Sequence, residues 1–440
     1  MGNVLDCAVE SEAGEGKDGE LVEGGGGSNS SGGKWNSSIP LSGGGGGDDG
    51  GGARDILEPV SAEAIQAHCR LGDSGCVLWS LQRDFYKEVG EQAWSRGIVP
   101  NYVSSNAFIA KCYARVVVEF ANEWYSGALG GDPDRNEPIF LLELGSGSGK
   151  FAFLLINQLL RLGEFFPDVG PRLEGFPFRV ILSDVAEKNV AFWRQHRALR
   201  PFFERGIVDT AILDAENVGG AVRLASGASI DPSTLKSPIM SVSNYVFNSL
   251  SHDAFQVRAR AAGQGNDDDG GGAVLHFAKC TTSSTAKSLV GMDGEEIVPQ
   301  PFELIQGMST SWTYEAARPG DDFYGDPAFN FVPRKYAQLI SGDARVCAPE
   351  TDDPAAAEDF NTKAHLEHGG DSSVLIPLGG MKLLRDLAAI CKGANVPFLA
   401  LVGDKGYQNH RDMAGLRNPH IAKHGSFSLM VNFHALRLYA

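Results

Sequence analysis

Between residues 77 and 124, hydrophobic residues recur at every third or fourth position, which is the spacing of an amphipathic helix. The clearest stretch is 108–124, and the Ser-Ser-Asn sequence at 104–106 stands just before it, where such residues cap helix starts. We therefore predict that residues 54–137 form a mostly helical N-terminal cover.

From residue 139 onward, the pattern changes to short, unbroken apolar runs that alternate with helical segments. The runs lie at 139–142, 179–182, 207–213, 239–242 and 398–402, and the helical segments include 151–162, 187–198 and 381–391. Strands that are apolar on both faces are typical of a parallel sheet with helices on each side. We predict a doubly wound, mostly parallel α/β domain over 138–440, with acidic or glycine-rich insertions near 263–272, 320–326 and 349–373.

Composition sets the first segment apart. Many of the 55 glycines lie in residues 1–53, mixed with Ser, Asp and Glu. Such a stretch buries too little apolar surface to offset the entropy of ordering it, so we predict a disordered leader. Gly2 and Cys7 are candidate lipidation sites, but Asp6 replaces the usual Ser or Thr. A leader without lipid is therefore the preferred interpretation.

Charge and cysteine usage exclude several classes of protein. The net charge of −17 argues against binding to nucleic acid, and no apolar run approaches the length of a membrane span. The seven cysteines form no C-x-x-C pair, so we expect neither a disulfide framework nor a structural zinc site. We expect a soluble protein of a reducing compartment, with the cysteines acting as small buried hydrophobes.

A glycine-rich loop follows the first predicted strand, at residues 143–150 (Glu-Leu-Gly-Ser-Gly-Ser-Gly-Lys). A phosphate-binding P-loop would need glycine at Leu144 and a hydroxyl residue at Phe151. A dinucleotide fingerprint would need its third glycine one position later and an acid about 20 residues further on. The loop therefore fits neither pattern.

S-adenosylmethionine has no phosphate, so its loop needs an acid beside glycine-lined space rather than a lysine-backed anion site. Glu143 followed by Gly145, Gly147 and Gly149 has that order. The segment resembles motif I of the class I methyltransferases, which have a Rossmann-like fold. We predict that these four residues contact S-adenosylmethionine.

Two further acids follow predicted strands. Asp184 comes after the second strand, where a carboxylate could hold both ribose hydroxyls, and Asp214 comes after the third, where it could accept from the adenine amino group. Each has an ordinary alternative: Asp184 could cap the next helix, and Asp214 could be a solvated turn residue. Their succession at strand ends favours the cofactor interpretation.

Other segments resemble the MidA-type family of mitochondrial and bacterial methyltransferases, whose mitochondrial members modify arginine in a respiratory-complex subunit. Residues 102–106 resemble its Tyr-x-Thr-Ser-Pro stretch, and 243–250 its Asn-Glu-x-x-Asp-Ala-Leu-Pro segment. Residues 403–407 resemble its Asp-Tyr-Gly, and 425–433 its late Asp-Leu-Thr-x-x-Val-Asp-Phe. The resemblance implies methyl transfer to a protein side chain, and it is the only indication of a mitochondrial location.

The chain departs from that family beside the expected methyl acceptor. Tyr245 and Asn248 replace the two family acids next to Asn244. Carboxylates suit a guanidinium, so their loss weakens the inference to arginine. Tyr245 and Asn248 could still position a neutral amide, hydroxyl or imidazole. We predict Asn244, Tyr245 and Asn248 as the catalytic residues.

Little sequence follows residue 407, so the sheet has no obvious closing strands. Either segments 274–280 and 311–315 complete it, or the sequence is incomplete. The His-Leu-Glu-His sequence at 365–368 suggests a metal site but sits in an acidic insertion, so we interpret it as a solvated loop. His424 and His434 are candidate bases, although a purely hydrogen-bonded role is the preferred interpretation for each.

We therefore expect an S-adenosylmethionine-dependent methyltransferase that needs no metal and acts on a protein. The alternative is a non-catalytic assembly or binding factor that retains the fold. In the absence of a targeting signal, cytoplasm is the expected location.

Overall fold

The computed structural model describes residues 66–258, 274–286, 289–290, 296–297, 299–318, 320–341, 371–413 and 415–440. The predicted leader at 1–53, the insertion at 263–272 and the histidine-containing sequence at 365–368 lie outside these residues. Most of the predicted insertion at 349–373 does as well.

The strands are numbered along the chain. They are β1 (Gln66–Arg70), β2 (Ile139–Leu144), β3 (Phe178–Asp184), β4 (Val208–Ile212), β5 (Val222–Arg223), β6 (Ser229–Ile230), β7 (Ile239–Asn244), β8 (Asp253–Arg258), β9 (Val274–Ser284), β10 (Leu289–Val290), β11 (Glu296–Ile297), β12 (Met308–Ala316), β13 (Ser372–Ile376), β14 (Phe398–Gly403), β15 (Gly406–Tyr407), β16 (Ala422–His424), β17 (Ser426–Ser428) and β18 (Val431–Asn432). The α-helices of the described residues are α1 (Val77–Val89), α2 (Gln92–Ser95), α3 (Ala107–Tyr125), α4 (Lys150–Arg161), α5 (Glu187–Gln195), α6 (Arg200–Glu204), α7 (Pro301–Gln306), α8 (Pro327–Ser341), α9 (Leu378–Gly393) and α10 (Phe433–Tyr439).

A parallel sheet of five strands organises the fold, in the order β4-β3-β2-β7-β14. Leu142 of β2 lies opposite Ile181 of β3 and Ser241 of β7. The chain runs outward from β2 to β4 on one side and from β7 to β14 on the other, so its direction of winding reverses between β2 and β7. The five predicted strands and the α/β fold are confirmed. Such a reversal leaves a crevice at the carboxyl ends of the strands.

Both faces of this sheet are buried. Leu141 packs in a cluster with residues of α3, α4 and α5, whereas the next residue, Leu142, packs in a cluster with residues of α8, α9 and α10. Because successive side chains of a strand point to opposite faces, the unbroken apolar run of β2 supplies both clusters. The prediction that the apolar run of β2 is a strand buried on both faces is thus confirmed.

The helices before β2 follow the predicted spacing but form three separate elements. α1 ends at Gly90, which has a φ of 59°, and a loop at 96–106 separates α2 from α3. Asn106 caps α3, since its side chain accepts a hydrogen bond from the backbone N–H of Ile109. Further along, α5 ends at Gln195, earlier than predicted, and a new helix begins with Pro201 in its first turn.

Segments 274–280 and 311–315 were one of two alternatives given above for the closing strands, and they do not join the parallel sheet. They belong to β9 and β12, which pair with each other in a second, antiparallel sheet that also contains β1, β8 and β13. Burial alternates along β9 and β12, as expected for an antiparallel sheet with one face toward solvent. That period-two pattern distinguishes them from the continuously buried strands of the parallel sheet.

A buried ion pair holds β1 to β8 in this second sheet. Arg70 Nε lies 2.9 Å from Oδ2 of Asp253, whose side chain is fully buried. The same oxygen accepts a hydrogen bond of 2.9 Å from the hydroxyl of Tyr324, which belongs to the predicted insertion at 320–326. The Arg70 guanidinium also lies 4.1 Å from the centre of the Phe277 ring.

No helix among the described residues has the length and apolar character needed to cross a membrane.

Candidate functional site

The glycine-rich loop joins β2 to α4 through backbone conformations that favour glycine. Gly145, Gly147 and Gly149 have φ angles of 59°, 53° and 71°, in the left-handed region. The N–H of Gly147 donates to Oδ2 of Asp184 at 3.0 Å, and its carbonyl accepts from Nε1 of Trp193 at 2.9 Å. These bonds fix the loop against the end of β3.

A cavity of about 290 Å³ lies at the carboxyl ends of β2, β3 and β7, where the winding of the sheet reverses. This volume is near the lower end of the range typical of ligand sites. Eight of the nine predicted site residues line it: Glu143, Gly145, Gly147, Asp184, Asp214, Asn244, Tyr245 and Asn248. The fold thus gathers these residues from four separate sequence segments around one space.

Gly149 is the ninth predicted residue, and it is not part of the cavity lining. It is the N-cap of α4, and a Cβ at this position would lie 3.0 Å from Cδ1 of Trp193. Its glycine is therefore explained by the left-handed turn and by the close approach of Trp193.

The carboxylate of Glu143 belongs to the cavity lining, and its hydrogen bonding is incomplete among the described residues. The residue is 5% exposed, and its Oε2 has no hydrogen-bond partner among the described residues. Burial raises the pKa of Glu143 to about 8, because the charged form is poorly solvated. A cationic group bound beside it would favour the ionised form, which makes Glu143 suited to an ammonium group.

Asp184 is held in place by the loop that it faces. Its two carboxylate oxygens accept from the N–H groups of Gly147 and Ala186, each at 3.0 Å. Burial raises its pKa. The bond to Ala186 closes a turn before α5 and does not cap that helix, because Ala186 is itself the N-cap residue and no side chain caps α5. The alternative in which Asp184 caps the next helix is therefore not observed.

Asp214 is more exposed than the other two acids. Its carboxylate accepts from the N–H of Glu216 at 3.0 Å and from Nδ2 of Asn217 at 2.9 Å, which is the turn arrangement given above as its alternative. Arg83 bridges this edge of the cavity, with Nε 3.6 Å from Asp214 and Nη2 3.0 Å from Glu216. A positively charged side chain therefore partly neutralises the acidic edge.

The predicted catalytic residues lie at the end of β7, which Asn244 closes, and in the segment just after it. Asn244 accepts a hydrogen bond of 3.1 Å from the hydroxyl of Tyr113, while its Nδ2 is buried and has no hydrogen-bond partner within the part of the chain that the structure describes. Tyr245 has a φ of 55°, an unfavourable conformation for a residue other than glycine. Burial, together with the negative charge of Asp404, raises the pKa of Tyr245, so its hydroxyl is neutral at neutral pH.

Asn248 is 2% exposed and is tied to the chain around it. Its N–H donates to Oδ2 of Asp404 at 3.0 Å, and its carbonyl accepts from the N–H of Leu429 at 3.0 Å. The Asn248 side chain accepts from the Ser249 hydroxyl at 2.9 Å. Burial raises the pKa of Asp404 to about 7. A titratable acid therefore lies next to Tyr245 and Asn248, the two residues that replace the family acids.

Sequence reasoning missed the side of the cavity formed by the first two helices. Trp79, Arg83 and Tyr86 of α1 line the cavity, as does Trp94 of α2. The rings of Tyr86 and Trp94 stack with centroids 5.6 Å apart and planes at 16°. The spacing of the α1 residues places them on one helical face. This spacing is visible in the sequence, but it does not show which part of the chain the face contacts.

The structure separates the two candidate bases. His424 lines the cavity, but its Nε2 is bonded to the Ser428 hydroxyl at 2.8 Å and its Nδ1 is buried. His434 is not part of the lining, and its Nδ1 lies 2.7 Å from the hydroxyl of Tyr336. Burial lowers the pKa of both histidines. Within the described ranges, no group of three His, Cys, Asp or Glu side chains could hold a metal ion.

Comparison with known proteins adds only weak likenesses. Neither a scan against protein-family models nor a search of curated proteins gave a match. Among solved structures, the chain is similar to an uncharacterized superfamily protein from Burkholderia thailandensis, with 12% identity, coverage of 83% of this chain and 77% of that one, and a TM-score of 0.36. It is similar to a superfamily member from the same organism bound to S-adenosyl-homocysteine, with 12% identity, coverage of 83% and 78%, and a TM-score of 0.34.

Magnesium protoporphyrin IX methyltransferase from Synechocystis, with bound S-adenosyl-homocysteine, is 14% identical over 42% of this chain and 74% of that one, with a TM-score of 0.21. Likenesses at these TM-scores carry no weight for function, which is inferred below from the site itself.

Proposed function

We propose that the protein is an S-adenosylmethionine-dependent methyltransferase of the class I type. The observation that supports this most directly is the buried carboxylate of Glu143, whose Oε2 has no hydrogen-bond partner among the described residues, beside two left-handed glycines of the cavity wall. An acid next to glycine-lined space suits an amino-acid moiety. It does not suit a phosphate, which a buried carboxylate would repel.

The other cavity residues fit the remaining parts of that cofactor. Glu143 would accept from the α-ammonium group, and Asp184, which also lines the cavity, would accept from ribose hydroxyls. Asp214 would accept from the adenine amino group, and the apolar side chain of Leu213, which also lines the cavity, would pack beside it. Stacked Tyr86 and Trp94 would exclude water from the opposite side. When bound, S-adenosylmethionine supplies an electrophilic methyl group.

Residues after β7 would position the methyl acceptor. Because Tyr113 holds Oδ1 of Asn244, the amide Nδ2 of Asn244 is left to donate to an acceptor atom. The neutral hydroxyl of Tyr245 can accept a hydrogen bond from the acceptor, which would orient the attacking lone pair. Alignment of this kind is the main contribution that a protein makes to a direct displacement. Asn248 would act indirectly, by holding the segment against Asp404.

The MidA-type resemblance supports a protein side chain as the acceptor and residues 54–137 as a cover over the catalytic domain at 138–440. The packing of α1 and α2 against the glycine-rich loop is consistent with that division. Tyr245 and Asn248 favour a neutral nucleophile over a guanidinium, since neither supplies a negative charge.

Two measurements on Glu143→Gln test the proposal. Calorimetry should show S-adenosylhomocysteine binding to the wild type, and Glu143→Gln should weaken it about tenfold or more, because a charge-assisted hydrogen bond contributes roughly 1.5–3 kcal/mol. Glu137→Gln is the matched control, since Glu137 lies before the opposite end of β2 and pairs with Lys236 at 3.5 Å.

Transfer of a tritiated methyl group to acid-precipitable lysate protein should then follow binding. Absence of binding by the wild type at millimolar ligand would refute the proposal. Tight binding without transfer to any lysate fraction would instead support the non-catalytic assembly or binding factor.

A further inference from the structure

Three cysteines come together where the second sheet meets the start of α1. Cys69 lies on β1, directly opposite Cys280 of β9, and Cys76 is the N-cap residue of α1. The sulfur atoms of Cys69 and Cys76 are 2.7 Å apart. Cys280 instead has its sulfur 3.6 Å from the hydroxyl of Thr282. The close thiol pair is therefore Cys69 with Cys76.

The two members of this pair differ in reactivity. Cys69 is partly exposed, whereas Cys76 is only 2% exposed. The hydrogen bond between the two thiols lowers the pKa of Cys69, and the Val77 amide at the first turn of α1 acts in the same direction. The pKa of Cys76 is raised by that hydrogen bond and by burial. Since the thiolate is the nucleophile, Cys69 is the thiol prepared to react first.

The connection between the two residues is short and ordered. Within it, the N–H of Cys76 donates to the carbonyl of Asp73 at 3.0 Å, and Nε1 of Trp79 donates to the carbonyl of Leu71 at 2.7 Å. These bonds keep the turn closed before any reaction occurs. Little chain entropy therefore remains to be lost when the two sulfur atoms are joined.

We propose that Cys69 and Cys76 form a reversible disulfide by exchange with a low-molecular-weight disulfide, with Cys69 attacking first and Cys76 resolving the adduct. This modification goes beyond methyl transfer and does not depend on it. It revises the expectation that the cysteines serve only as small hydrophobes. The bond would tie β1 to the first turn of α1, one turn before the cavity residue Trp79.

The exchange is balanced in two steps. The Cys69 thiolate attacks one sulfur of the reagent, whose S–S bond breaks, and one reagent thiolate leaves. Cys76 then gives its proton to solvent, and its sulfur attacks that of Cys69, which breaks the mixed disulfide and releases the second reagent thiolate. The protein loses two electrons in total, and the reagent disulfide gains them.

Peptide mapping of the full chain tests this assignment. The protein is incubated with oxidised glutathione, alkylated, and digested with trypsin, which cleaves after Arg70 and so separates the two cysteines. We expect a disulfide-linked pair of peptides, 55–70 with 71–83, together with loss of alkylation at both cysteines. Dithiothreitol should restore that alkylation.

Variants separate the roles of the two thiols. Cys76→Ser should stop at a glutathione adduct on Cys69, whereas Cys69→Ser should leave Cys76 unmodified. Cys112→Ser is the matched control, because Cys112 is a partly exposed cysteine in α3 and its loss should leave the linked pair unchanged. The proposal is overturned if the wild type keeps an unresolved adduct on Cys69, if both thiols stay reduced, or if peptide 55–70 links to peptide 280–287.

Discussion

Substitution of Gly147 by alanine isolates the tight contact between the glycine-rich loop and the helical cover. Gly147 has a φ of 53°, and a Cβ there would lie 3.1 Å from three atoms of the Trp94 ring. The left-handed conformation alone costs an alanine roughly 1–2 kcal/mol. Moving a packed ring to accept an extra methyl group adds about 1–3 kcal/mol. We therefore expect Gly147→Ala to lower the free energy of unfolding by roughly 2–5 kcal/mol in total.

Gly175→Ala is the matched control for the conformational part. Gly175 also has a positive φ, 77°, but no atom of the described residues outside its immediate chain neighbours lies within 4 Å of the position that a Cβ would take. It precedes β3, at the end of the sheet opposite the cavity. Only the conformational cost of about 1–2 kcal/mol is expected there.

Urea unfolding of the wild type and both variants measures the difference, and calorimetry with S-adenosylhomocysteine provides a second observable. Because Trp94 and the loop both line the cavity, Gly147→Ala should also weaken binding by at least about tenfold, equivalent to 1.4 kcal/mol. Gly175→Ala should bind as the wild type does. Equal losses of stability in the two variants, with unchanged affinity, would show that Trp94 does not press on the loop.

Four further results are expected. Because the folded-state pKa of Glu143 is raised to about 8 from an ordinary 4.5, the ligand-free protein should lose stability in urea unfolding as pH rises between these values, and Glu143→Gln should remove this dependence. Affinity for S-adenosylhomocysteine in calorimetry should rise over the same interval, by up to about tenfold per pH unit. Asp253→Asn should lower the free energy of unfolding by about 3–5 kcal/mol in urea, because the buried charge of Arg70 loses its partner, and the double variant Arg70→Met/Asp253→Leu should lose less. Tyr245→Gly should abolish tritiated-methyl transfer yet change the free energy of unfolding by no more than about 1 kcal/mol, because relief of the left-handed strain offsets the lost ring contacts.

The central strands were predictable because their physical signal is local. Each is a short apolar run buried on both faces, so β2 could be recognised at residues 139–142 without knowledge of its neighbours. The position of Glu143 and Asp184 followed from the same signal, since the carboxyl ends of parallel strands share one edge of the sheet. The acids and glycines could therefore be grouped before any coordinate was known.

The second sheet was not predictable in the same way. β1 and β9 are separated by about two hundred residues of sequence, and the alternating burial of β9 fits any partner of the same length. The stack of Trp94 on Tyr86, and its contact with Gly147, likewise depends on how α1 and α2 dock rather than on their own helical spacing.

Local pattern was thus sufficient for the α/β fold and for the acids and glycines at the edge of its sheet, because helix and strand periodicity and the ends of parallel strands are encoded over a few neighbouring residues. Long-range packing was needed to show that Gly149 supports Trp193 instead of lining the cavity, that Arg83 neutralises Asp214, and that Cys69 meets Cys76. Those relations depend on distances between elements, and such distances arise only when the elements are packed against one another.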